Sequence, residues 1–220
     1  MMKYTIYMLR HGQTWFNRYN KMQGWSDSPL TPAGEEVARQ AAQRLSNVAF
    51  AAAFSSDARR AIDTCKIITD ANINKEHLHP TKLINFREQF YGYFEGMNST
   101  EAWYMTLKPH GLTSFQEASK KVGLDKAKDY MKAADPFHDA ENAAEYWERI
   151  NTGFEYLDGI AHENDKILLV SHGTTIQSIS MKYGDGTFVV NAGPANSSLT
   201  TVVRNQGQTI VTDYARKLVD

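Results

Sequence analysis

The chain of 220 residues has a single cysteine, six prolines and a formal charge of only −1. Cys65 has no partner for an internal disulfide, which fits a reducing compartment. No apolar run approaches the roughly 18 residues that a spanning helix requires, so no membrane segment is expected. Lys and Arg total 24 against 25 Asp and Glu. That balance offers nucleic acid or an anionic membrane no general attraction, and a charged ligand must be drawn in by local residues. Met1 to Leu9 has the outline of a short export signal, but Arg10 and His11 interrupt it and no small-residue cleavage site follows. It reads as the first strand of a cytoplasmic domain. Internal repeats and low-complexity tracts are missing too.

The chain is long enough to bury roughly 70% of its unfolded surface, and its 42% hydrophobic and 22% charged residues are ordinary for a globular protein. One domain spanning residues 1–220 is expected. Tyr4 to Leu9 is short and apolar, a buried strand that ends in Arg10-His11-Gly12. Thr31 can cap a helix that has Pro32 in its first turn. Val37, Ala41, Leu45 and Val48 mark one face of that helix. Ala51 to Ser55 reads as a strand, Ala58 to Ala71 as a helix, and Leu83 to Phe86 as a further strand. Trp147, Ile150, Phe154, Leu157 and Ala161 recur at helical spacing within 143–161. Lys166 to Ser171 is a second buried strand, ending in His172-Gly173. Ser198 to Val203 and Thr209 to Tyr214 close the chain as a strand pair. Strands alternating with helices imply an α/β fold, three layers α/β/α around a mainly parallel sheet. The looser, Lys-rich and aromatic-rich segment from about 97 to 142 reads as an inserted helical cap.

In open α/β sheets, ligands sit beyond the carboxyl ends of the strands. Three such ends carry reactive groups: Arg10 with His11, Ser55-Ser56-Asp57 with Arg60, and Ser171 with His172. Two imidazoles and two guanidiniums at one sheet edge suit a phosphate, because arginine donates paired hydrogen bonds to phosphate oxygens and stays charged. Helix N-termini after Gly12 and Asp57 are expected to add backbone donors. An imidazole with a free nitrogen can attack phosphorus, and a carboxyl group can pass a proton to the leaving oxygen and later take one from water. Glu88 is the candidate for that carboxyl, with Glu95 as its competitor.

Arg10-His11-Gly12 resembles the signature of the histidine phosphatase superfamily, with its phosphoglycerate-mutase-like fold. The likeness continues in order through Asn17, Gln23-Gly24, Leu30-Thr31 with Gly34, Ser55-Ser56-Asp57 with Arg60, Glu88 with Gly92 and Glu95-Gly96, and Ser171-His172-Gly173. It spans nearly the whole chain outside 97–142. The resemblance implies that His11 is the phosphorylated nucleophile. It implies that Arg10, Arg60 and His172 hold the phosphoryl group, and that Glu88 is the acid and then the base. Asn17, Gln23, Gly24 and Gly173 would contact substrate. It also implies no metal and no cofactor. The expected partner is a small phosphorylated substrate, without nucleic acid or membrane, and the oligomeric state is open.

Within the family, Glu88 to Gly96 looks like the phosphatase form. Mutases usually place an arginine directly after the Glu and a non-acidic residue before the second Gly; here those places hold Gln89 and Glu95. Mutases also carry paired arginines in the insertion, and 97–142 contains no arginine. Gly24-Trp25 with Asp27 is the more mutase-like feature. A phosphomonoester hydrolase is therefore expected, with a phosphoglycerate mutase or a non-catalytic phosphate-recognition module as the alternatives. Trp103, Tyr104 and Phe115 either pack the cap or line the pocket. His77 and His79 read as a surface pair, Cys65 as packing, and most cap lysines as a solvated face.

Overall fold

The computed structural model describes residues 3–218. Its centre is one six-stranded sheet. The strands are β1 (Lys3–Arg10), β2 (Ala52–Ser55), β3 (Thr81–Lys82), β4 (Lys166–Ser171), β5 (Leu199–Asn205) and β6 (Gln208–Arg216), in the spatial order β3-β2-β4-β1-β5-β6. β3, β2, β4 and β1 run parallel, and β5 lies antiparallel to both β1 and β6. The final hairpin turns through Gln206 and Gly207, both at positive φ, which matches the strand twist and suits glycine at the second position.

A one-turn helix, α1 (Trp15–Arg18), follows β1. Alternation along the strands creates the layers. Tyr4, Ile6 and Met8 of β1, with Ile167 and Leu169 of β4, face helices α7 (Ala143–Ile160) and α8 (Gly173–Tyr183). Leu9, Leu168 and Val170 point the other way, onto α2 (Pro32–Leu45) and α3 (Arg59–Asp70). Both faces are buried, as a parallel sheet requires. The expected face of α7 is the observed one, and Thr31 caps α2 through the Gly34 N–H.

Two local expectations fail. Leu83 to Phe86 is not a strand: pairing stops after Lys82, and Ile84–Phe86 forms a 3-10 turn. Arg149 accounts for the turn, because its Nη1 donates to the Asn85 carbonyl at 2.7 Å. α2 ends at Leu45, so Val48 lies beyond it; Val37 and Val48 are only half-buried, while Gly34, Ala38, Ala41, Ala42 and Leu45 form the core face of the helix. Small residues there let α2 pack closely against α3.

The segment 97–142 holds α4 (Ser99–Leu107), α5 (Phe115–Lys121) and α6 (Gly123–Ala134). Trp103, Leu107, Ala118, Ala127 and Met131 give it a core of its own, shared with Tyr91 and Phe94. No helix among the described residues is long and apolar enough to cross a membrane.

Candidate active site

β1 and β4 are neighbours in register, Arg10 opposite Ser171, so their carboxyl ends deliver His11 and His172 side by side. The His11 N–H donates to the Ser171 carbonyl at 3.0 Å, and the two imidazole centroids lie 5.2 Å apart. β2 ends on the other side of β4 and brings Ser56 to within 2.6 Å of His172 Nε2. The juxtaposition expected from strand ends is present.

The ring of His11 has a defined tautomer. Its Nδ1 lies 2.7 Å from the Gly12 carbonyl, which can only accept, so the proton sits on Nδ1 and Nε2 keeps a free lone pair. Burial, then Arg60 and Arg10, hold this imidazole well below its usual pKa, so it stays neutral. His172 is pushed down likewise by burial, Arg60 and His11. Ser56 Oγ accepts from the Ala58 N–H and lies against His172 Nε2; with the hydroxyl donating to Nε2, the ring proton sits on Nδ1.

Four buried nitrogens have no hydrogen-bond partner among the described residues: Arg10 Nε, Arg60 Nε, His172 Nδ1 and Gln23 Nε2. Arg10, His11, Gln23, Asn17, Glu88 and Gly173 all border one cavity of about 200 Å³. Arg60 and His172 are fully buried beside His11. A buried donor left unpaired costs about 1–3 kcal/mol, so this cluster is arranged for an acceptor-rich anion. Arg10 remains a cation, although burial and Arg60 lower its pKa against the opposing pull of Glu88.

Arg60 is held by backbone carbonyls and the Asp27 carboxylate. Its Nη1 donates to Ser26 O and Asp27 Oδ1, each at 2.9 Å, and its Nη2 to Gly24 O at 2.7 Å. Gly24, expected to contact substrate, does not border the cavity; it acts on Arg60. A side chain is impossible there, because a Cβ would lie 2.1 Å from the Gln89 carbonyl.

Glu88 sits on the N-terminus of α8. Oε1 accepts from the backbone N–H groups of Gln89 and Thr175 and from the Thr175 hydroxyl; among the described residues Oε2 accepts only from Thr174 N–H, at 2.8 Å. Oε2 therefore has room for a proton. Arg149 Nη1 reaches the Arg87 carbonyl at 3.2 Å, Nη2 the Glu88 carbonyl at 3.3 Å, and the guanidinium is anchored on Glu141. Glu95, the rival carboxylate, has a different job. It accepts the backbone N–H groups of Gly24, Trp25, Ser26 and Tyr91, and so shapes the loop that holds Arg60.

The expected backbone donors after Gly12 and Asp57 are already engaged. Gly12 N–H is taken by Thr64 Oγ1 and the α3 N-terminus by Asp27, which accepts from Arg59 N–H. The helix terminus that borders the cavity is that of α8, and its Thr174 and Thr175 N–H groups are taken by Glu88. His77 and His79 are exposed and Cys65 is buried, its thiol pushed up to about 12 by burial. Trp103 and Phe115 both pack the cap and border the cavity, whereas Tyr104 is exposed. Lys128 departs from the solvated face: it is 1% exposed, with Nζ 2.9 Å from Ser178 Oγ.

Sequence reasoning missed Thr174 and Gln177, which border the cavity. Their three-residue spacing, starting two residues after His172, was a usable signal. It also missed Asn196, whose Nδ2 donates to the His11 carbonyl at 2.9 Å, and Arg149. Neither carries a local signal.

The family description "Histidine phosphatase superfamily (branch 1)" matches residues 6–216. A 2,3-bisphosphoglycerate-dependent phosphoglycerate mutase of Bifidobacterium longum is 30% identical over 188 residues, which cover 81% of this chain and 76% of that one. The crystal structure of a phosphoglycerate mutase from Bacillus anthracis aligns with TM-score 0.85 at 30% identity, covering 98% of this chain and 94% of that one. A mycobacterial glucosyl-3-phosphoglycerate phosphatase shares the fold, with TM-score 0.68 at 24% identity and coverage of 97% and 99%. The chain belongs to the histidine phosphatase superfamily.

Proposed function

We propose that this protein is a phosphomonoester hydrolase working through a phosphohistidine at His11. The observation that carries the reading is the free Nε2 lone pair of a neutral, buried imidazole, set among buried nitrogens that have no partner among the described residues. His11 Nε2 attacks phosphorus as the bond to the alcohol oxygen breaks. Arg10, Arg60, His172 and Gln23 donate to the phosphoryl oxygens, which carry the charge of the transition state. Glu88 passes a proton from Oε2 to the leaving oxygen. Water then attacks phosphorus, Glu88 takes its proton, and the N–P bond breaks to release phosphate.

The mutase reading is favoured by the names of the two relatives at 30% identity. Hydrolysis is preferred because a phosphoglycerate brings a carboxylate as well as a phosphate. Arg10 and Lys21 are the only Arg or Lys side chains that border the cavity among the described residues. A rapid quench with labelled aryl phosphate should leave acid-labile label on the wild type and none on His11→Ala, with turnover lost. Undiminished turnover in His11→Ala refutes the mechanism. Interconversion of phosphoglycerates stimulated by a bisphosphorylated glycerate, faster than hydrolysis, replaces it with the mutase.

A further inference from the structure

Chemistry at His11 uses the strand-end side of the cavity; the cap builds the other side, where the alcohol must lie. Trp103 of α4 and Phe115 of α5 border it with centroids 4.7 Å apart, their rings tilted by 40°. Trp103 meets Tyr91 edge-on at 6.1 Å, and the Tyr91 hydroxyl is 3.0 Å from Thr174 Oγ1. Thr174 is the residue that donates to Glu88 Oε2. An aromatic wall thus runs from the acid outward to the cap. Burial, with Glu88 nearby, holds the Tyr91 phenol well above its usual pKa, so the wall carries no charge of its own.

Gln177 adds one polar point. It is 2% exposed and borders the cavity, with Oε1 close to Gly193. Its amide makes no side-chain hydrogen bond among the described residues, so both a donor and an acceptor are left for a ligand. Positive charge is scarce on this side. Lys21 is exposed and its Nζ donates to the Gly96 carbonyl at 2.9 Å. A second anionic group would meet only that solvated ammonium.

We infer that the substrates are phosphomonoesters whose alcohol carries an uncharged ring, one face stacked on Trp103 and Phe115 and one edge bonded to Gln177. An aromatic ring or nucleobase offers such a face through its π-system, and a sugar ring through its C–H bonds. The phosphate half of the inference rests on the hydrolase reading, whereas the ring half is testable by binding alone.

Calorimetry on His11→Ala, which keeps the cavity but lacks the nucleophile, measures binding without turnover. The probes are phenyl phosphate, glucose 6-phosphate and adenosine 5′-monophosphate, with glycerol 3-phosphate and 3-phosphoglycerate as acyclic controls. At least one ring-bearing probe should bind tenfold or more tighter than both controls. Which probe does so identifies the ring. Adding Trp103→Ala should erase that preference and change the controls less than twofold, while Trp103→Phe should retain it. Phe115→Ala, at a half-buried position, repeats the test if Trp103→Ala fails to fold. Equal affinity for controls and rings, or equal weakening of all probes by Trp103→Ala and Phe115→Ala, overturns the inference. Ring preference in an enzyme whose wild type hydrolyses none of the probes overturns the hydrolase reading and leaves the ring inference standing. Hydrolysis dependent on His11 without ring preference does the reverse.

Discussion

Glu95→Gln tests whether the second carboxylate organises the site without taking part in the chemistry. Oε1 accepts from Trp25 N–H at 2.8 Å and Tyr91 N–H at 3.1 Å; Oε2 accepts from Gly24 N–H at 3.1 Å, Ser26 N–H at 3.0 Å and the Ser26 hydroxyl. Glutamine replaces one oxygen with an NH2 group, which faces donors whichever way the amide turns. Two or three hydrogen bonds to a charged acceptor are lost. At roughly 1–1.5 kcal/mol each, after allowance for a side chain that is only partly buried, the loss is about 3 kcal/mol. For a domain of this size that corresponds to a Tm lower by about 6–12 °C. The damage then spreads to Arg60, because Gly24 O and Ser26 O hold its guanidinium. A displacement of about 1 Å at a phosphate ligand lowers the rate by about 100-fold. Thermal unfolding and kcat/KM for an aryl phosphate, measured across pH, provide the readouts. Both should fall, with the pH limbs of the rate profile unmoved. A Tm within about 2 °C of wild type together with full activity refutes the positioning role, and a shifted pH limb would make Glu95 the proton carrier instead.

Three further outcomes are expected. The low pKa of His11 and His172 means that the unfolded chain binds protons below about pH 6.5 while the folded chain does not. Stability should therefore fall as pH drops through that region, by up to about 1.4 kcal/mol per pH unit for each imidazole. Denaturant titrations at several pH values should show the slope, and it should be shallower in His172→Ala; identical slopes contradict the assignment. Gly24→Ala forces a Cβ to within 2.1 Å of Gln89 O and 2.3 Å of Glu95 Oε1. It should cost roughly 2–3 kcal/mol and depress kcat/KM, and wild-type stability in urea would count against the packing described. Lys128 is pulled down to about 8 by burial, with Asp125 opposing, and its ammonium lies 4.5 Å from the Tyr146 ring centroid. The folded lysine sheds its proton near pH 8 and the unfolded one near 10.4. Wild type should thus gain about 2 kcal/mol relative to Lys128→Met between pH 7 and 10. A pH-independent difference between the two proteins would be the contrary result.

The placement of His11 beside His172 was readable because strand-end chemistry is local. A short apolar run followed by Arg10-His11-Gly12 or His172-Gly173 announces a reactive carboxyl end wherever the strand is placed. The continuous burial of the apolar run after Lys166 in Lys166–Ser171 and the period-3.6 burial in Ala143–Ile160 are likewise properties of a few adjacent residues. The family motifs then join these ends in one order.

Short-range pattern could not choose between Glu88 and Glu95. The two carboxylates lie seven positions apart, and their roles depend on which backbone N–H groups come to meet them, from Thr174 and Thr175 in one case and from Gly24 to Ser26 in the other. The same holds for the helix termini: Asp27 and Thr64, remote in sequence, occupy donors that a motif alone leaves available for phosphate. Lys128 illustrates the limit on the cap, since a Lys-rich amphipathic helix reads as solvated until α8 is seen to cover one of its charges. Sequence by itself determined the strand ends, the helix faces and the reactive groups they carry, because periodicity and turn chemistry act between near neighbours. Tertiary structure alone decided which carboxylate borders the cavity, which donors stay free and which cap rings reach it, because each depends on groups brought together from distant parts of the chain.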